Sequence, residues 1–163
     1  MSVPFNSVRV ALVASMLVAL ATGGHAQSSW FGTWQVNLSK STYPAGPPAF
    51  KRMTCRIESR DEQVRVTYDI IGTRGGVTHI EWTGNFDGRD YPVAGIEGYV
   101  VTHAYRLIDA RTLEVVQKTE GSGTATARMI LSADGRTLTT LTPPPPGVAR
   151  TLVTTTVYDR QAP

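Results

Sequence analysis

Apolar and polar residues alternate singly along much of this chain. Met53, Cys55 and Ile57 fall on one face of an extended segment, and Val64, Val66, Tyr68 and Ile70 on one face of the next, with Arg56, Glu58, Arg65 and Asp69 opposite them. A period of two belongs to a strand with one buried face, not to a helix. The same pattern, with abundant Thr and Val, predicts strands over Thr33–Leu38, Phe50–Ser59, Val64–Ile71, Val77–Phe86, Tyr99–Ile108, Leu113–Glu120, Thr124–Leu131, Thr137–Leu141 and Thr151–Tyr158. In the fourth, Ile80, Trp82 and Phe86 form the apolar face and leave His79 and Glu81 toward solvent. The fifth is ambiguous. Tyr99, Val101, His103, Tyr105 and Leu107 form one face and carry the greater apolar bulk, yet a register slip of one residue would turn Arg106 inward in place of His103.

Short turns separate these strands. Asp61-Glu62, Gly75-Gly76, Asp87-Gly88, Gly121-Ser122-Gly123 and Asp134-Gly135 supply residues that tolerate positive φ or form Asx-type turns, as tight hairpins require. An evenly spaced antiparallel meander hides its edges most completely by closing on itself. The expected fold is therefore all-β, a single up-and-down antiparallel barrel of about 8–10 strands, wide enough for side chains or one small ligand. A sandwich is the alternative, since the Asp87–Gly98 connection and the Pro143–Pro146 run are long enough for a crossover. That proline run reads as a stiff polyproline connection, with a proline-rich partner site as a second reading.

The amino-terminal segment differs in kind. Arg9 precedes an apolar run from Val10 to Ala21, and Gly24 and Ala26 stand where a signal peptidase accepts small residues. The run is shorter than the ~20 residues that span a bilayer. Residues 1–26 are thus expected to be a signal peptide of an exported, periplasmic or extracellular protein with no integral membrane segment after cleavage. Removing 26 residues from 163 leaves 137, enough for one domain over residues 27–163. Arg9 leaves with the leader, so that 15 of the 16 Lys+Arg face 13 Asp+Glu, with no basic stripe of the kind nucleic acids need.

Little in the chain is overtly catalytic. Cys55 is the single cysteine, which excludes an intramolecular disulfide, and its place on an apolar strand face reads as a buried, inert thiol. There is no G-x-S-x-G elbow, and the glycine clusters at Gly72–Gly76 and Gly121–Gly123 precede no helix, so they are turns rather than phosphate cradles. No cofactor is expected. His79 and Glu81 share a face, and His103 could join them across an antiparallel pair as a two-His-one-carboxylate set, but an exposed polar face is the plainer reading and no metal is expected.

Phe31-Gly32-Thr33-Trp34 opens the first strand and resembles the G-x-W element of lipocalins and related calycin barrels. The resemblance implies structural roles for Gly32, for Trp34 as a plug at the closed end of a barrel, and for Arg160 packed across that Trp. Phe31-x-Thr33-Trp34-x-x-Asn37-x-x-Lys40-Ser41-x-Tyr43, with Phe86-Asp87-Gly88-x-Asp90-Tyr91-Pro92 and Val157-Tyr158-Asp159, is similar to a family of exported bacterial lipocalin-like proteins of unknown function. This implies a barrel in the envelope and brings neither substrate nor catalytic residues; the Pro143–Pro146 run departs from the pattern.

Three functions remain. The first is a non-catalytic barrel holding a small hydrophobic or aromatic molecule among Tyr68, Trp82, Tyr99, His103, Tyr105 and Gln117. The second is a cofactor-independent acid/base enzyme, an isomerase, cyclase or lyase, using His103 with Tyr99, Tyr105 and Glu97. The third is an envelope interaction module with a filled lumen.

Overall fold

A computed structural model of the chain describes residues 28–144 and 152–163. The expected leader over 1–26, Pro145 and Pro146 of the proline run and the expected strand start at Thr151 lie outside the described residues. Ten strands run as β1 (Gly32–Val36), β2 (Phe50–Arg60), β3 (Gln63–Gly72), β4 (Val77–Gly84), β5 (Tyr91–Ala94), β6 (Val101–Asp109), β7 (Thr112–Thr119), β8 (Gly123–Leu131), β9 (Thr137–Thr142) and β10 (Thr154–Arg160). Each pairs antiparallel with the next, and β1 pairs with β10, so the sheet closes into an up-and-down barrel. Closure rules out the sandwich. The described helix of the loops is a short 3-10 turn at Leu38–Lys40, and among the described residues no helix is long and apolar enough to cross a membrane.

The strand that the alternation does not predict is β5. It is four residues long and contains Pro92, which has no N–H to donate. It joins its neighbours through two residue pairs on each side: Glu81–Ala94 and Trp82–Val93 with β4, Tyr91–His103 and Pro92–Thr102 with β6. Four residues are too few to display a period, which is why this connection reads as a loop. Gly95 lets the chain leave β5 tightly. Its φ is +88°, and a Cβ there would lie 1.9 Å from the His79 carbonyl oxygen.

Strand direction sorts the side chains into two ends. Where β1 begins and β10 finishes, Trp30, Trp34, Ile57, Val64, Leu113 and Leu138 are buried and fill the lumen. This is the closed end. Trp34 donates from Nε1 to the Trp30 carbonyl at 3.2 Å, and the Arg160 guanidinium lies 4.2 Å from the Trp34 ring centroid. Arg160 also donates to three carbonyls, those of Gly135 (2.6 Å), Phe31 (2.7 Å) and Ser29 (2.7 Å). The fork of the guanidinium is what allows one side chain to tie three segments together. Gly32 is required beside it, because a Cβ at φ +150° would sit 2.7 Å from Arg160 Nη1.

The outer wall is laced by charge. Glu58 and Arg65 pair across β2 and β3, Arg106 donates to Glu114 at 2.7 Å, and His79 contacts Asp69 at 2.7 Å. These positions answer the register question in β6. Arg106 points outward to its β7 partner, and His103 and Tyr105 point inward.

A cavity in the open half of the barrel

At the other end the lumen is not filled. A cavity of about 260 Å³ opens there. Its existence follows from side-chain size on two strands. At the inward positions of β8 stand Ala125 and Ala127, and at those of β9 stand Thr140 and Thr142, where the closed end carries Leu131 and Leu138. These small residues, with Tyr68, Ile80 and Val115 among the other lining side chains, leave the space unfilled. Ile96, from the loop after β5, covers one side of the mouth, and Met129 contributes to the floor.

Beneath the cavity lies a layer of tyrosines around Cys55. Tyr68 and Tyr105 are part of it, and both hydroxyls have their pKa raised by burial. Tyr158 sits 3.5 Å from Met53 Sδ through its hydroxyl, and its pKa is likewise raised by burial. Burial pushes the Cys55 thiol up to about 12, so it stays protonated and unreactive as a thiolate nucleophile. Trp82 packs against Tyr105 with ring centroids 4.5 Å apart, against Tyr91 at 5.7 Å and against Phe86 at 6.3 Å. Its Nε1 donates to the His103 carbonyl at 3.0 Å, binding β4 to β6 across the short β5.

His103 and Gln117 form the polar edge of the cavity. His103 Nε2 lies 3.1 Å from Gln117 Oε1, which assigns the hydrogen to Nε2, since an amide oxygen only accepts. Nδ1 is buried with no hydrogen-bond partner among the described residues. Desolvation lowers the His103 pKa from its ordinary value, and the Gln117 bond opposes this only in part. The imidazole is therefore neutral near pH 7.

The expected site residues separate into three groups. Tyr68, His103, Tyr105 and Gln117 meet at the cavity. Trp82 is buried in the aromatic layer and supports the wall without lining the space. Tyr99 and Glu97 lie outside it: both are exposed, Tyr99 by 62%, because β6 begins only at Val101 and the segment before it turns at Gly98 with φ +78°. Extending the alternation of β6 back to Tyr99 is what places it wrongly. The conceivable set of His79, Glu81 and His103 is also undone by the geometry. β5 stands between β4 and β6, and His79 and Glu81 face out whereas His103 faces in. No group of three His, Cys, Asp or Glu able to hold a metal occurs among the described residues. Ile96, Ala125, Ala127, Thr140 and Thr142 escaped the sequence reading. The signal for the last four is a run of small residues at inward positions.

No family model matches the chain, and neither does any curated protein. Among solved structures the chain is similar to a mutant of the fluorescent protein UnaG, with a TM-score of 0.54 over 83% of this chain and 99% of that one, at 16% identity. The fold is calycin-like. At this level of identity the likeness concerns the barrel itself, and the site is defined by the side chains that this chain places in it.

Proposed function

We propose that this protein is a non-catalytic binding protein that holds one small, largely apolar or aromatic molecule in the open half of its barrel. The observation that carries the reading is the cavity of about 260 Å³ beneath an open mouth, walled by Ile80, Val115, Ala127 and Met129 and edged by His103 and Gln117. That volume lies just below the ~300–1,000 Å³ usual for ligand pockets and suits a compact molecule. An apolar wall with a few convergent polar groups is the ordinary composition of such sites.

The acid/base alternative has less support. Catalysis by His103 would call for a group that orients the ring and balances the charge it gains, and its partner is the neutral amide of Gln117. Glu97, the carboxylate that could have served, is exposed on the loop before β6. The interaction module is disfavoured by the unfilled space. Export belongs to the same proposal, resting on the leader pattern of residues 1–26 and on the resemblance to exported lipocalin-like proteins.

The test is a titration of the protein with uncharged naphthalene and indole derivatives, followed by calorimetry, alongside an Ala127→Phe variant. Saturable one-to-one binding by the wild type and its loss in a folded Ala127→Phe protein are expected. Absence of binding across the panel would remove the proposal. Cell fractionation with mass determination of the mature amino terminus, expected at Gln27, tests export separately.

A further inference from the structure

The cavity's polar groups have one property in common. They are Tyr68, Tyr105, His103, Gln117 and three threonines, Thr126, Thr140 and Thr142, and among the described residues no Arg, Lys, Asp or Glu lines the space. From this composition, and on the premise that the cavity is a binding site, we infer that it selects uncharged ligands whose apolar body carries a hydroxyl or carbonyl group, and discriminates against the matching carboxylate.

A carboxylate brought into this space would lose its water and gain no cation. Burial of an ion costs heavily unless it is paired and hydrogen-bonded. His103 is the one lining group that could become that cation, and its setting opposes it. Protonation would place a second N–H at Nδ1, which is buried where no acceptor stands among the described residues. The direction in which burial moves the imidazole agrees with this geometry. The two tyrosine hydroxyls are held neutral in the same manner.

A neutral polar group, by contrast, finds both kinds of partner. Gln117 offers an acceptor in Oε1 and a donor in Nε2, whose present bond to Thr119 Oγ1 is long at 3.4 Å. His103 offers the Nε2–H that now meets Gln117. A ligand hydroxyl can insert between them, donating to one and accepting from the other. A carbonyl can accept from the Gln117 amide without disturbing the imidazole.

The experiment compares 1-naphthalenemethanol with 1-naphthoate at pH 7.5, where the acid is ionised, by isothermal titration calorimetry on wild-type protein, Gln117→Arg and Ala127→Phe. The two probes share an apolar body of nearly the same size. The alcohol is expected to bind wild type at least tenfold more tightly, Gln117→Arg to gain affinity for naphthoate at least tenfold, and Ala127→Phe to lose both. Naphthoate binding wild type as tightly as the alcohol, with both lost in Ala127→Phe, would overturn the selectivity while leaving the binding site standing. Failure of both probes to bind wild type would overturn the binding reading and this inference with it.

Discussion

The two ends of the barrel are built from the same strands and do opposite things with them. At the closed end the inward positions carry Trp34, Ile57, Val64, Leu113, Leu131 and Leu138, and the Arg160 guanidinium seals the seam between β1 and β10 over the Trp34 ring. Half a barrel away the same ladders carry Ala125, Ala127, Thr140, Thr142, His103 and Gln117. A meander gives every strand one end at the floor and one at the mouth. Side-chain size along each strand, and not the topology, decides where the lumen is filled and where it is open. The closed half supplies stability and the open half holds the cavity proposed as the site.

Substitutions at the floor are expected to be felt in stability before all else. Trp34→Ala removes a fully buried indole from the plug and should cost ~3–5 kcal/mol by urea denaturation, enough to unfold a marginal domain. Arg160→Ala leaves three carbonyls without their donor and removes the stacked cation, for a loss of about 2 kcal/mol. Arg160→Lys should recover little, since a single ammonium cannot span the Gly135, Phe31 and Ser29 carbonyls together. If either Arg160 variant matched wild type, the seam would not depend on this fork.

At the mouth the expectation is inverted. Gln117→Ala should leave the urea midpoint nearly where it is, within about 0.5 kcal/mol, because Gln117 is exposed and its bonds are rim bonds. The same change should weaken binding of an uncharged aromatic alcohol by about tenfold, on the order of 1.4 kcal/mol, as read by calorimetry. A large stability loss with unchanged affinity would blur the division between the two ends.

The smallest effect concerns acid. His103 titrates below its ordinary value of 6.5 in the folded barrel because burial favours the neutral ring. Between that lowered value and about 6.5 the unfolded chain binds the extra proton, so stability rises with pH across this window and falls as pH drops through it. His103→Gln should flatten that stretch of a plot of urea midpoint against pH. An unchanged slope would assign the acid sensitivity to other groups.

Much of this was visible in the sequence, for reasons that differ by element. β2 and β3 were legible because Arg56, Glu58, Arg65 and Asp69 mark their outer faces without ambiguity. β6 was not, since Ala104 and Ile108 make its outer face almost as apolar as its inner one; the decision comes from Glu114, which draws Arg106 outward from the neighbouring strand. β5 could not be seen at all, because its pairing is long-range and four residues with a proline show no period. Alternation places His103, Tyr105 and Tyr68 correctly and misplaces Tyr99, because it is carried past the point where the β6 ladder begins; Glu97 precedes the strand altogether and stays exposed on the loop. The cavity was the hardest to read. It is an absence of volume at Ala125, Ala127, Thr140 and Thr142, and small residues announce themselves only when their partners across the lumen are known.

A crystal structure of the protein saturated with 1-naphthalenemethanol tests the central claim most directly. The account predicts the naphthalene ring between Tyr68, Val115 and Ala127 with the hydroxyl at His103 and Gln117, and a closed end unchanged around Trp34 and Arg160. A probe lodged on the outer wall, or one that displaces the Trp34 plug, would contradict it.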